Sequence, residues 1–260
     1  MKTICEKGNL NEIKKLINDA NIDEIFMYSC ENGHLDVAKY LVGLGVNIHV
    51  DDEWAFRYSC INGHLEVAKY LIELNRNIDI RNNNEIIFIQ SCSKGRLEVV
   101  KYLIGLNINI HAQNERAFRW ACENGHLEVA KYLIGLDKNI DIHADSDAAF
   151  SLSCRHGHLE VAKYLIGLDR NIDIHAVNEF AFRRSCRNGH LCIVKYLIGL
   201  DKNIDIRVDN DKAFRDSCAN NHLNVVEYLI TLYDGYSYKV NTQLVPVITL
   251  KSINDSGQKN

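Results

Sequence analysis

The sequence predicts an all-α solenoid, a one-dimensional stack of helix-turn-helix units joined by short linking turns. Three observations carry this. Eight cysteines, Cys5, Cys30, Cys60, Cys92, Cys122, Cys154, Cys186 and Cys218, follow one another at intervals of 25, 30, 32, 30, 32, 32 and 32 residues, and only Cys192 falls outside the series. One phrase recurs in the same register, as "ENGHLEVAKYLIGL" from Glu123 and "RHGHLEVAKYLIGL" from Arg155. A helix-stopping residue stands at the same place in every unit: Gly8, Gly33, Gly63, Gly95, Gly125, Gly157 and Gly189, with Asn221 in the last. Self-similarity at a fixed period of about 20 to 50 residues is the mark of a repeat architecture.

The elements follow in order. A first helix runs through segments such as "AFRYSCIN" from Ala55 and stops at the glycine or asparagine, the residues that tolerate the left-handed conformation ending a helix. The second helix, "LEVAKYLIGL" from Leu127, places Glu128, Lys131 and Gly135 within about 60° of one another when each residue turns roughly 100°. The rest of its circumference is largely apolar, so it needs neighbours on both flanks, and side-by-side stacking of like units supplies them. The first unit is truncated, with only Met1 to Lys7 before its glycine, and "NEIKKLINDA" from Asn11 reads as a polar cap. After Leu232 the pattern breaks. The expected organisation is a stack over residues 1–232 and a non-repeat tail over 233–260, which carries the single proline, Pro246, and packs as an extended segment or stays loose.

Composition narrows the function classes. The chain has 260 residues, 47% of them hydrophobic, and 30 Lys and Arg against 34 Asp and Glu, for a net charge of -4. That balance gives no bulk attraction to nucleic acid or acidic lipid; any basic surface has to be local. The start "MKTICEKGNLNEIKKL" has no signal-peptide core and no run of eighteen apolar residues occurs, so the expected location is the cytoplasm, with no membrane partner.

The "GHLEVAKYLIGL" helix, its paired first helix and the "NIHA" style of linker resemble the ankyrin repeat, over roughly Met1 to Leu232. The ankyrin period is about 33 residues, against about 34 for tetratricopeptide repeats and 40 or more for HEAT repeats, and the glycine two residues before a helix-starting leucine suits ankyrin best. The family's Thr-Pro-Leu-His opening is replaced by "WAFR" at Trp54, "RAFR" at Arg116, "FAFR" at Phe180 and "KAFR" at Lys212, where Phe can supply the apolar anchor. The linkers are one to three residues short, so the projecting fingers should be trimmed. The wording of the repeat also looks like the ankyrin sets of giant amoeba-infecting DNA viruses, which would put the protein in a host-cell cytoplasm.

No metal site, cofactor or enzymatic activity is expected. Stacked helices lie about 8 to 10 Å apart, too far for disulfides between equivalent cysteines, which read instead as small buried residues. The sharpest metal candidate, Cys186, His190 and Cys192 with His158, lacks a C-x-x-C pair. The repeated histidines, such as His126, have a hydrogen bond to neighbouring backbone as their expected role. P-loop, G-x-S-x-G, H-E-x-x-H and dinucleotide fingerprints are absent.

Function should then lie where the units differ. Two residues before the aligned cysteines stand Tyr28, Tyr58, Gln90, Trp120, Leu152, Arg184 and Asp216, and three and four residues further on are pairs such as Arg155/His156 and Arg187/Asn188. Spacings of i, i+3 and i+4 put each trio on one helix face. The ankyrin resemblance implies that this face lines a concave groove used for partner proteins. Along it Tyr28, Tyr58 and Trp120 form an aromatic end and Arg155, Arg184 and Arg187 a basic end. Tyr, Trp and Arg are enriched in interface hot spots, so the expected function is a non-enzymatic scaffold that binds an unidentified partner protein, with an acidic segment as the candidate feature. Nucleic-acid binding through the same arginines and a purely structural role are the alternatives.

Overall fold

The computed structural model describes residues 7–17, 22–74, 80–240 and 244–248. The chain forms two compact units, Met1–Asp141 and Ile142–Asn260. Cys5 lies outside the described residues.

The first unit comprises α1 (Leu10–Leu16) and the pairs α2 (Ile22–Glu31) with α3 (Leu35–Gly43), α4 (Val50–Asn62) with α5 (Leu65–Leu74), α6 (Ile80–Ser93) with α7 (Leu97–Gly105), and α8 (Ala112–Glu123) with α9 (Leu127–Leu136). The second comprises α10 (Ala144–Arg155) with α11 (Leu159–Leu168), α12 (Ala176–Arg187) with α13 (Leu191–Leu200), α14 (Val208–Ala219) with α15 (Leu223–Leu232), and the strands β1 (Tyr236–Val240) and β2 (Leu244–Ile248). Within each unit, first helices pack on first helices and second on second, the stack that the repeat pattern predicts.

Each first helix buries a phenylalanine and, four residues on, the repeated cysteine: Phe56 with Cys60, Phe118 with Cys122, Phe182 with Cys186. Burying a side chain of phenylalanine size contributes about 1.5 to 3 kcal/mol, so these columns are the main apolar glue. Burial pushes the thiols of Cys30, Cys60, Cys92, Cys122, Cys154 and Cys186 far up, and that of Cys218 up to about 11. Each second helix covers a narrower stripe than its composition suggests. Val129, Ala130 and Leu133 are buried, while the closing Leu136 stays 48% exposed.

The glycine has two jobs. Gly189 ends α12 at φ 77°, and a Cβ there would lie 2.5 Å from Nδ1 of His222, the first residue ahead of α15. Equivalent rings face Gly33, Gly95 and Gly157, and the Arg96 side chain faces Gly63. Asn221 holds the same left-handed conformation, φ 62°, which asparagine tolerates better than most residues. The histidines bond backwards as expected: His126 Nε2 meets the carbonyl of Ser93 at 2.9 Å, and His64 and His190 bond the backbone of Glu31 and Arg155.

Past Leu232 the described residues of the tail include two strands. β1 and β2 pair antiparallel, Tyr236 opposite Ile248 and Tyr238 opposite Pro246. Tyr233 and Tyr236 stand one 32-residue period after Asp201 and the buried Ile204, so the repeat register runs on into the hairpin. The Tyr236 ring stacks on Phe214 at 4.1 Å and its hydroxyl donates to Asp211 Oδ1 at 2.8 Å. The hairpin thus covers the apolar side of the final first helix, which would otherwise face water.

Candidate protein-binding face

In the first unit Tyr58 and Trp120 are held by neighbours one helical turn earlier. Trp54 and Tyr58 stack at 4.1 Å with planes 24° apart, and the guanidinium of Arg116 lies 4.2 Å from the Trp120 ring centre. Such i, i+4 pairs meet because side chains four apart lie above one another on a helix. Tyr58 and Trp120 line one shallow depression of about 230 Å³ with Ile61, Gln90, Ser93 and Lys94, spanning three consecutive repeats. Tyr28 is half-buried on α2 and is not among the residues that line it.

In the second unit Arg155 ends α10, and Arg184 and Arg187 lie on α12. The guanidinium of Arg184 sits over the Phe180 ring, 5.2 Å from its centre. Burial lowers its proton affinity from the usual arginine range, and the charges of Arg187, Arg155 and Arg183 lower it further, while Asp216 pulls the other way. Asn188, one of the residues expected to vary on this face, is instead structural: its Nδ2 donates to the Arg155 carbonyl at 2.7 Å, and Asn62, at the equivalent position of an earlier repeat, donates to that of Glu31 at 3.0 Å. Trp54, Arg116 and Phe180, which support the face, were legible only as the first letters of "WAFR", "RAFR" and "FAFR".

Two further expectations concern metal ligands and membrane spans. Cys186 is fully buried and Cys192 exposed, so the structure does not gather them into a ligand cluster, and no group of three or more metal-ligating residues occurs among the described residues. No helix among the described residues is long and apolar enough to cross a membrane.

A second set of side chains went unread in the sequence. His111 Nδ1 lies 2.7 Å from Glu115 and its Nε2 3.1 Å from Asp137; His143 spans Asp147 and Asp169, and His175 spans Glu179 and Asp201, in the same way. The signal was present as a histidine with an acid four residues later. In the last repeat Arg207 replaces the histidine, bonding Asp211 at 3.0 Å and lying over the Tyr233 ring.

The family profile described as ankyrin repeats (3 copies) matches residues 1–84, 58–146, 88–178 and 150–242. The chain belongs to the ankyrin-repeat family. The fold agrees: the crystal structure of the human ASB11 ankyrin repeat domain superposes with a TM-score of 0.57 at 20% identity, covering 80% of this chain and 96% of that one. No curated protein sequence matches it. In this ankyrin-repeat chain the "AFR" opening does specific work. Three consecutive residues before it, such as Val177, Asn178 and Glu179, adopt left-handed angles with φ of 51°, 59° and 56°. The arginine clasps that turn: Arg183 Nε donates to the Asn178 carbonyl at 2.7 Å and an Nη to that of Val177 at 3.2 Å, a pattern repeated by Arg119 and Arg215.

Proposed function

We propose that this ankyrin-repeat protein is a non-enzymatic scaffold that holds a partner protein against its first-helix faces, with Tyr28, Tyr58 and Trp120 as aromatic anchors and Arg155, Arg184 and Arg187 as the charged side. The observation that carries the proposal is the depression shared by Tyr58 and Trp120, whose walls come from three repeats and whose rings are pre-set by stacking on Trp54 and Arg116. Pre-organised aromatic side chains lose little freedom on binding and so make effective hot spots. The basic side suits an acidic segment of the partner. The repeat wording is similar to that of giant-virus ankyrin sets, and a cytoplasmic setting fits the sequence; the binding proposal draws on neither.

The test is affinity capture on the immobilised full chain with Trp120→Ala and the double variant Arg184→Glu, Arg187→Glu. Trp120→Ala should cost about 2 kcal/mol of binding, and the charge reversal should abolish capture of an acidic partner, with both melting like the parent. Full capture by both folded variants would move the binding site elsewhere.

A further inference from the structure

Most arginines in the structure are committed to intramolecular bonds. Arg57, Arg119, Arg183 and Arg215 clasp turn carbonyls, Arg96 bonds the Ile61 carbonyl, Arg116 bonds Gln113 and Arg207 bonds Asp211. Arg155, Arg184 and Arg187 form no salt bridge among the described residues, although the chain carries a net charge of -4. They come from adjacent helices whose ends touch, since the Asn188 side chain, next to Arg187, bonds the Arg155 carbonyl at 2.7 Å. Arg184 and Arg187, three apart on α12, share a face. The partial negative charge of a helix C-terminus favours Arg155 in the last turn of α10 and both Arg184 and Arg187 in that of α12. The Arg184 Nε has no hydrogen-bond partner among the described residues.

We propose that Arg155, Arg184 and Arg187 form an oxyanion site for the phosphoryl group of a phosphorylated serine or threonine in a bound peptide. This rests on the scaffold role assigned above and specifies the partner chemistry of its basic side. Around Arg184 the charges of Arg187 and Arg155 add to its own while the Asp216 carboxylate on α14 opposes them, a positive excess that a phosphoryl dianion fills with one residue. Its three terminal oxygens can accept from several guanidinium forks at once, whereas a glutamate offers one charge and two oxygens. The Phe180 ring under Arg184 fixes one fork in advance, so less freedom is lost on binding.

The test uses the full chain and three pentapeptides with otherwise neutral sequence, carrying one phosphoserine, one glutamate or two adjacent glutamates, read by fluorescence polarisation at constant ionic strength. A ¹H–¹⁵N spectrum reports the Arg184 Nε–H. The phosphoserine peptide should bind about tenfold or more tighter than either glutamate peptide, and only it should shift the Arg184 Nε–H. Arg184→Lys, which keeps the charge and loses the fork, should lose that advantage while melting like the parent. Should that variant fail to fold, Arg187→Gln at the exposed helix end carries the comparison and should weaken phosphoserine binding alone. Equal binding of the paired-glutamate peptide overturns the phosphoryl assignment and leaves the scaffold role standing. Tighter binding of a single-stranded oligothymidine, or no binding of the phosphoserine peptide, also overturns it; full capture by folded Trp120→Ala is the separate outcome that counts against the aromatic face.

Discussion

Replacing His175 by glutamine should destabilise the second unit in a pH-dependent way. His175 Nδ1 is 2.7 Å from Glu179 Oε1 and Nε2 is 3.3 Å from Asp201 Oδ2, so both ring nitrogens face acceptors and the imidazolium is the form that satisfies them. The Glu179 hydrogen bond, then that of Asp201, raises the His175 pKa above its ordinary value, against an opposing pull from burial. A raised folded pKa contributes stability that is fully present below the unfolded value of about 6.5 and fades as pH climbs through the folded value. Glu179 is only 8% exposed, and its Oε1 also accepts the Asp205 N–H at 3.2 Å. A hydrogen bond to a charged group is worth about 1.5 to 3 kcal/mol. Discounted for the 39% exposure of His175, the loss should be about 1 to 2 kcal/mol at pH 5.5, shrinking toward pH 8.5, where the neutral ring keeps one N–H for Glu179. The parent's own pH curve cannot display this. Burial lowers the pKa of His64, His126 and His190, so those groups cost stability as pH falls below about 6.5, the opposite trend. Urea melts of parent and His175→Gln from pH 5.5 to 8.5 isolate the effect in their difference. A difference that is flat, or that grows toward pH 8.5, refutes the imidazolium bridge.

Gly189→Ala should cost about 2 kcal/mol or more in the same assay, from the left-handed angle and the displaced His222 ring, whereas Asn221→Gly should stay within about 0.5 kcal/mol of the parent. Val177→Gly should raise the melting point, because a β-branched, 63% exposed residue at φ 51° is strained by about 1 kcal/mol and buries little to offset it. Of the described cysteines, only Cys192 should react with a thiol reagent in native protein, followed by mass spectrometry; rapid labelling of Cys122 or Cys154 would contradict their burial.

What the sequence displayed and what it hid divide along the direction of the contact. A helix stopped by glycine, a buried phenylalanine four residues before a cysteine and an apolar stripe are local patterns, and each was legible because every repeat restates it. Gly189 illustrates the limit. Its left-handed angle could be read from the residue type, but the reason asparagine does not serve equally well is a ring 33 residues later, in the next unit. The histidine–acid bridges hid for the same reason: His175 and Glu179 are one helical turn apart in sequence, yet the second acceptor, Asp201, is brought in only by stacking. The face residues were legible as variable letters at fixed positions, while their supports were not, because Trp54 and Arg116 sit in the opening tetrad that reads as a family motif. The asparagines Asn62 and Asn188 mark the converse error. They share the binding-face spacing, but their amides are spent on the preceding repeat's carbonyls. A position in a repeat protein is therefore free to recognise a partner only when neither its own helix nor the adjacent repeat claims its polar atoms, and in the second unit Arg184, whose guanidinium forms no salt bridge among the described residues, meets that condition.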